Sequence, residues 1–393
     1  MKKKLRKLLT IAAALAVALT LSVTAFAETL AYSAIASSIA GAEKTQLGVA
    51  QDAPLLTEEL LPAGSSVSDW TALAMARAEV ADDYAGYLAR LQAYVERQYA
   101  ENGCLHEVKA TEYHRIALTA AALGGDPASF GTKPDGTPID LVAEGTYNWQ
   151  GENDLGAQGL NGWIFALLAV DAVNADIPAD ARYSRQTMRD AIVSAQLPEG
   201  GFSLGGGEMD VDITAMALQA LAPYQAELPE VIDAALNALS SAQLPTGGFE
   251  SWGAQSSESC AQVLLALCEL NIDPETDARF QKASGNVVTA LLSFCTADGG
   301  VAHQQGGQAD AMAGEQAMQA LMALHLRQQG LGRFFDLTNA QPVQLDGAGD
   351  TAPTDTPAKC GTSLPVLPVV LIVIAIAAVA LVLVLKKKRE KNV

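Results

Sequence analysis

Acidic and amide side chains stand at the start of four predicted helices in the middle of the chain. Asp212, Glu258 and Glu315 each precede about ten residues rich in Ala and Leu, and Asn161 opens a comparable run. A helix N-terminus presents backbone N–H groups that have no partner within the helix. Carboxyl and amide groups at such positions cap the helix or meet polar atoms of a ligand, and a buried carboxyl can also act as a general acid.

Other side chains beside these helix starts could contact the same ligand. Asp210 and Gln316 adjoin two of the acids, and Trp163 and Trp252 offer aromatic faces near the loops, with packing at the rim as their alternative role. The chain has no Cys-x-x-Cys pair, so a structural zinc site is not expected. We therefore predict no metal and no cofactor, and a ligand-binding set of Asn161, Trp163, Asp210, Asp212, Trp252, Glu258, Glu315 and Gln316.

An internal repeat of about 50 residues places these side chains. Residues 196–202 read Gln-Leu-Pro-Glu-Gly-Gly-Phe, residues 243–249 read Gln-Leu-Pro-Thr-Gly-Gly-Phe, and a degenerate third copy covers residues 297–301. Each copy precedes a run with the spacing of a helix that buries one face. A repeat of this length predicts one supersecondary unit per copy, with the units stacked or closed in a ring.

The helical pattern continues over about 270 residues. Two of the predicted helix pairs are 212–222 with 229–242 and 256–270 with 279–295, and about six pairs fit between residues 67 and 337. The alternation typical of strands is missing from this stretch. The fold class is therefore predicted as all-α.

Gln-x-x-x-Gly-Gly-Phe followed by an acidic helix start resembles the repeat of the prenyltransferase and squalene-cyclase superfamily. The resemblance covers roughly residues 69–335. It implies an α/α toroid, in which six inner helices stand inside six outer helices and the starts of the inner helices face a central cavity. The predicted binding residues would then meet a ligand in that cavity.

One branch of this superfamily makes Asp212 a candidate general acid. Residues 210–215 read Asp-Val-Asp-Ile-Thr-Ala and resemble the Asp-Val-Asp-Asp-Thr-Ala motif that holds the catalytic acid of hopene cyclases, with Ile213 in place of the last Asp. Cyclisation also needs aromatic faces to stabilise carbocations, whereas only 6% of the residues are aromatic, and the second domain of cyclases is missing. A plain N-cap is the alternative role for Asp212.

Three other branches were weighed against the residues. Glu258-Ser259-Cys260 resembles part of the zinc site of protein prenyltransferases, but the expected His is missing. Residues 313–316 read Ala-Gly-Glu-Gln and lack the cysteine of complement-type thioester domains. The secreted vitamin carriers of this fold are exported and non-catalytic, which suits this chain better.

Both ends of the chain predict export and anchoring. Residues 1–27 contain a basic start, an apolar run and an Ala-Phe-Ala cleavage site, as in a secretory signal peptide. Residues 366–385 carry no charge and are long enough, at about 1.5 Å per residue, to span a bilayer as a transmembrane helix. Residues 386–393 form a basic tail that is expected to stay in the cytoplasm. We predict a single-pass protein of the cell membrane with its N-terminal domain outside.

The part between these ends is strongly acidic. The whole chain carries −19, and the two ends contribute +5 and +4, so residues 28–385 carry −28. A nucleic-acid partner is excluded because phosphate binding needs clusters of Lys and Arg. We predict an irregular leader over residues 28–66, the toroid over 67–337 and a flexible stalk over 338–365.

These observations favour a non-catalytic module for binding or adhesion at the cell surface. Its ligand would be a small molecule, such as a corrinoid-like compound, or a peptide held in the toroid cavity. The alternative is a cyclase-like or prenyltransferase-like enzyme with Asp212 as general acid. Replacing Asp212 by Asn would separate the two, since an enzyme would lose turnover and keep its fold.

Overall fold

Helices dominate the computed structural model, which describes residues 32–345 apart from Trp252. Short 3-10 turns and one small hairpin connect them. The α-helices of the described residues are α1 (32–46), α2 (Ser66–Arg77), α3 (Tyr84–Asn102), α4 (Ala110–Ala122), α5 (Leu141–Gly145), α6 (Asn161–Ala172), α7 (Arg185–Ser194), α8 (Val211–Leu221), α9 (Pro229–Ala242), α10 (Ser257–Glu269), α11 (Val287–Leu292) and α12 (Ala311–Gln329). The hairpin pairs β1 (Glu250–Ser251) with β2 (Ala254–Gln255).

Every second helix belongs to a closed inner ring. Helix α2 packs against α4, α4 against α6, α6 against α8, α8 against α10 and α10 against α12, and α12 packs back against α2. Helices α5, α7, α9 and α11 pack against this ring from outside. The described residues therefore form a closed ring of six inner helices with outer helices packed against it, which is consistent with the predicted α/α toroid.

The two kinds of helix differ in sequence because they differ in burial. Helix α8 buries nine of its 11 residues, so Ala, Leu, Ile and Val occupy almost every side of it. The outer helix α9 buries Ile232, Ala235, Leu236 and Leu239, which is the spacing of a single apolar face. Small residues on the inner helices let their backbones approach closely around the ring.

In the two full copies of the Gln-x-x-x-Gly-Gly-Phe motif, the glutamine bonds its own loop to a segment at or before the next outer helix. The Gln243 side-chain amide donates to the carbonyl oxygens of Gly247, at 2.7 Å, and Phe280, at 3.2 Å. Gln196 makes the equivalent pair of bonds in the preceding repeat. The motif is thus explained by the turn itself, and its glycines line neither chamber of the central cavity described below.

Glycine is required at Gly247 by both backbone and space. Its φ of +89° lies in the left-handed region, and a Cβ there would lie 2.5 Å from the carbonyl oxygen of Asn286. Phe249, two residues later, is completely buried. The degenerate third copy keeps the same turn, with Thr296 N–H donating to Gly300 O at 2.9 Å. The third copy therefore keeps the backbone geometry of the repeat although its sequence has diverged.

Replacing Gln243 by Ala is expected to lower the free energy of unfolding by about 1–3 kcal/mol, because two buried carbonyl groups lose their donor. Chemical denaturation would measure the change. Gln329→Ala, at the exposed end of α12, is the matched control and should be nearly neutral. Equal stability of the two variants would show that the motif glutamine does not hold the turn.

The ends of the toroid extend beyond the predicted limits. The predicted irregular leader over residues 28–66 is wrong for residues 32–46, which form α1. Within α1, Ile39 lies against Gly314 of α12, and the buried Lys44 forms an ion pair with the buried Asp82 at 3.4 Å. Tertiary packing supports this helix, which explains why its weak periodicity concealed it.

The segment after α12 also packs on the ring. Asp82 N–H donates to Val343 O at 3.2 Å, and Leu345 N–H donates to Asp82 O at 2.9 Å. Residues 338–345 therefore belong to the folded unit, and the predicted stalk over 338–365 is wrong for them. The remainder of that predicted stalk lies outside the described residues.

Helix α11 is shorter than the predicted helix over 279–295. It begins only after Asn286, whose side chain and that of Thr289 form a reciprocal capping box. Before it, Arg279 bonds to Asp277 and Lys282 donates to backbone oxygens, so residues 277–285 form a loop. Capping chemistry thus outweighs the helical periodicity of this stretch.

Within residues 32–345, no helix combines the length and the apolar character needed to cross a membrane. The predicted signal peptide (1–27), transmembrane helix (366–385) and basic tail (386–393) lie outside the described residues.

Candidate functional site

The inner ring surrounds a central cavity made of two adjoining chambers. The lower chamber encloses about 240 Å³ and the upper chamber about 580 Å³. They share the side chains of Val67, Met216, Gln262, Met312 and Gln316. Residues at the N-terminal ends of α8, α10 and α12 line the upper chamber, so the ring opens at that end.

A short segment closes the ring at the C-terminal ends of its helices. We call residues 333–337 the plug. Phe334 N–H donates to the Glu269 carboxylate, at the end of α10, at 2.7 Å, and Leu337 N–H donates to Ala172 O, at the end of α6, at 2.9 Å. Phe335 forms part of the lower chamber. The cavity is therefore a pouch with its mouth at the N-terminal ends.

Three glutamines form a directed hydrogen-bond chain across α8, α10 and α12. Gln219 Nε2 donates to the backbone oxygen of Gln262 at 3.2 Å and to its Oε1 at 2.9 Å. Because a backbone oxygen can only accept, the orientation of the Gln219 amide is fixed. Gln262 Nε2 then donates to Gln316 Oε1 at 2.9 Å, which leaves the Gln316 N–H groups for the cavity.

Glu315 places a buried carboxyl group in the lower chamber. The residue is 4% exposed, and Gln319 of the same helix donates a hydrogen bond to its Oε2. Burial raises the pKa of Glu315 to about 8, and the nearby Glu43 and Glu258 add to the rise. At neutral pH this carboxyl group is therefore largely protonated.

Asp212 and Asp210 have different roles at the start of α8. Asp210 is the N-cap, because its Oδ1 accepts from Asp212 N–H at 2.8 Å and from Ile213 N–H at 3.0 Å. The Asp212 side chain instead lines the upper chamber, and its Oδ1 is buried without a hydrogen-bond partner. Burial, followed by repulsion from Asp210 and Glu258, raises the pKa of Asp212 to about 6, against the lowering effect of the Ser259 hydroxyl. The alternative N-cap role for Asp212 is therefore wrong.

A histidine and two further carboxyl groups complete the upper chamber. His303 Nδ1 lies 2.8 Å from Glu258 Oε2 and 2.9 Å from Oε1, with the histidine largely exposed and the glutamate mostly buried. Asp310 also lines this chamber and caps α12 by accepting from Met312 N–H at 2.9 Å. The mouth thus presents several carboxyl groups and one imidazole.

A comparison with known families agrees with this geometry. Residues 153–342 match the family model of the prenyltransferase alpha-alpha toroid domain. The match supports the prenyltransferase/squalene-cyclase repeat superfamily for this part of the chain. No curated protein matches the chain. The predicted resemblance is confirmed, and the cavity described above is the central cavity of such a toroid.

The toroid gathers most of the predicted binding residues around its cavity. Asn161, Glu315 and Gln316 line the lower chamber, and Asp212 and Glu258 line the upper one, with Gln316 reaching both. The Asn161 Oδ1 atom is buried without a hydrogen-bond partner. These five side chains come from four inner helices, so the repeat brings together residues that lie far apart in the sequence.

Three predicted residues do not line the cavity or cannot be placed. Asp210 is occupied as an N-cap, as shown above. Trp163 lines neither chamber, because its ring packs edge-on against that of Tyr183 with centroids 5.1 Å apart. This is the packing alternative for that tryptophan. Trp252 lies outside the described residues.

The structure also corrects the predicted alignment of the three acids Asp212, Glu258 and Glu315 at the starts of their helices. Asp212 and Glu258 each stand two residues after a capping residue, Asp210 or Ser256. Glu315 stands five residues after its cap, Asp310, and so lies three residues, or just under one turn, deeper along its helix than the other two acids. The three acids were expected to be equivalent helix starts, but only the first two are.

Sequence reasoning missed several residues that face the ligand space. They are apolar or aromatic side chains and glutamines, namely Trp70, Phe165, Met216, Gln219, Gln262, Leu265, Met312 and Gln319. The glutamines had a usable signal, since Gln219 interrupts an otherwise apolar and buried helix. A buried amide needs partners or a ligand, so such an interruption marks a polar site.

The zinc-prenyltransferase alternative does not fit this toroid. Cys260 is completely buried, lines neither chamber, and burial raises the pKa of its thiol to about 12. Within residues 32–345, no group of three or more His, Cys, Asp and Glu side chains is arranged to hold a metal ion. Cys260 is therefore a core residue in this structure.

Proposed function

We propose that the toroid binds a polar, non-anionic ligand in its central cavity without transforming it, on a protein exported and anchored by its C-terminal segment. The observation that carries this proposal is the directed chain of Gln219, Gln262 and Gln316, which presents amide groups to the cavity. Buried amides are retained at low cost only when their hydrogen-bonding groups are used. A corrinoid-like molecule or a peptide, both rich in amides, would use them.

The acidic lining of the cavity favours this function over prenyl transfer. Carboxyl groups of Asp212, Glu258, Asp310 and Glu315 line the two chambers, and no Lys or Arg is among the described residues that line them. An isoprenyl diphosphate would meet negative charge where it needs positive charge. The glutamines that line the lower chamber also disfavour a hydrocarbon substrate, because a hydrocarbon cannot form hydrogen bonds with buried amide groups.

Native mass spectrometry of the full chain, purified from the membranes of its own host, tests the binding proposal. We expect a non-covalent ligand on the wild-type protein and at least a tenfold lower occupancy on Gln262→Leu, since the chain of amides is broken at its centre. Gln329→Leu, which changes an exposed glutamine outside the cavity, is the matched control. A wild-type cavity without ligand, or equal occupancy in both variants, would contradict the proposal.

An enzyme with Asp212 as general acid is the second candidate. The observation in its favour is the buried and unpartnered Asp212 Oδ1, on a carboxyl whose pKa is raised to about 6. If the retained ligand is converted on incubation, Asp212→Asn should abolish conversion and leave binding intact. Conversion at the wild-type rate in this variant would remove Asp212 from the chemistry.

A further inference from the structure

The lower chamber contains two hydrogen-bond acceptors that the protein does not fully use. Glu315 receives one hydrogen bond, on Oε2, and Asn161 Oδ1 receives none among the described residues. Both side chains border the same space of about 240 Å³. A buried acceptor without a donor is costly, so the group that fills this chamber should bring N–H or O–H donors.

Apolar and aromatic side chains line this chamber beside its polar groups. Val67, Met216 and Met312 border both chambers, and Leu265 borders the lower one. Trp70 and Phe165 stand beside the same space, with ring centroids 5.9 Å apart. Such walls suit an aliphatic stem, and aromatic faces attract an organic cation. They offer too few oxygen atoms for a calcium ion, which takes six to eight.

The groups that act on Glu315 leave its charge uncompensated. Helix α1 contributes Glu43 and helix α10 contributes Glu258, both acidic. Helix α2 presents Ser66, Val67 and Trp70 to this chamber, and α6 and α8 present uncharged side chains. Among the described residues that line the two chambers, the one basic side chain is His303, which lies in the upper chamber beside Glu258.

We propose that the lower chamber holds a primary ammonium group at the end of an aliphatic stem, with the Glu315 carboxylate as its counter-ion and Asn161 Oδ1 as a second acceptor. An ammonium group has three N–H donors, which can serve both of these acceptors. This inference rests on the proposed binding function and names the chemistry of its ligand. A free polyamine and a lysine side chain of a peptide share this chemistry.

Binding of a cation should take a proton from Glu315. In the empty chamber this carboxyl is largely protonated, and a neighbouring ammonium favours its charged form. The apparent affinity should therefore rise with pH, by about tenfold between pH 6 and pH 7, because only the ionised fraction is competent to bind. A ligand that accepts a hydrogen bond from the neutral acid would show the opposite slope.

Isothermal titration calorimetry of the full chain with spermidine tests this assignment. We expect binding that strengthens from pH 6 to pH 8, with proton release detected by comparing buffers of different ionisation enthalpy. Glu315→Gln should bind at least tenfold more weakly and lose the pH dependence. Glu59→Gln, which changes an exposed glutamate that lines neither chamber, is the control and should bind like the wild type.

Two further comparisons identify the group that is recognised. Butylamine should bind and 1-butanol, of similar size, should not. Tighter binding of spermidine than of the peptide acetyl-Gly-Lys-Gly-amide assigns a free polyamine, and the reverse assigns a lysine side chain. No binding of either ammonium probe, equal binding of butanol, or an affinity that falls as pH rises overturns the proposal. An amine-free ligand found by native mass spectrometry would overturn it while leaving the cavity function intact.

Discussion

The free energy of unfolding of the wild-type protein is expected to fall as the pH rises from about 5 to about 8, and Glu315→Gln should remove a large part of this fall. The folded protein keeps a proton on Glu315 up to a pKa of about 8, whereas the unfolded chain releases it near 4.5. Between these values the unfolded state binds fewer protons, so stability declines as pH rises. For Glu315 alone the loss is on the order of 3 kcal/mol.

Urea denaturation at pH 5, 6.5 and 8 measures this dependence. Glu269 is also buried and Glu43 is half-buried, and desolvation raises both of their pKa values to about 7, so Glu315→Gln should retain a weaker slope of the same sign. At pH 8 the variant should be more stable than the wild type, and near pH 5 the two should be similar. Glu59→Gln, at an exposed position, is the matched control. An unchanged slope in Glu315→Gln would show that this carboxyl is ionised in the folded protein.

Removing the carboxyl group of Asp69 should give the largest loss of stability of any single substitution considered. Asp69 is completely buried on α2, where Arg115 Nε of α4 donates to it at 2.9 Å and the Tyr87 hydroxyl of α3 donates at 2.6 Å. Gly64 N–H adds a third bond at 3.0 Å. Asp69→Ala leaves a buried guanidinium and two other donors without this acceptor, at a cost of about 3–5 kcal/mol.

A chemical denaturation series with a surface pair as control checks this prediction. Asp190→Ala removes an exposed carboxylate that lies 3.2 Å from Arg189, and should cost less than about 1 kcal/mol. The double variant Asp69→Leu/Arg115→Met should recover much of the loss, because it leaves no buried charge unpaired. A loss for Asp69→Ala no larger than that for Asp190→Ala would mean that the three bonds do not hold α2, α3 and α4 together.

Periodicity predicted the limits of α8, α9 and α10 well and those of α11 poorly, and the outer helix α9 has its predicted limits of 229–242. Helices α8 and α10 lie within one residue of their predicted limits, because burial on all sides gives long apolar runs. Helix α11 starts at Val287 rather than near residue 279, because the Asn286 cap and the ion pair of Arg279 with Asp277 decide the boundary. Helix α1 was missed because contacts made far away in the sequence, such as Lys44 with Asp82, stabilise it.

The candidate site could be predicted only in part, because the sequence shows the type of each residue but not how the helices pack. Chemical type was enough to select Asp212, Glu258 and Glu315, all of which line the cavity. How deep each acid lies in the toroid was not predictable. Glu315 lies beyond the first turn of α12, and the sequence alone does not show that Asp310 is the residue that caps this helix. The glutamine chain depends on which faces of three helices meet, and Gln219 and Gln262 lie 43 residues apart.

The closure of the ring has a consequence for how the chain folds. The last described residues, Val343 to Leu345, bond to Asp82 beside the first inner helix, and α12 packs against α2. An open solenoid has terminal repeats that can fold early or fray alone, whereas a ring has none. The ring can therefore close only after this whole region has been synthesised. Contacts between residues so far apart in the sequence also form slowly. Loss of any one helix pair should open the whole circle, so unfolding is expected to occur in a single cooperative step.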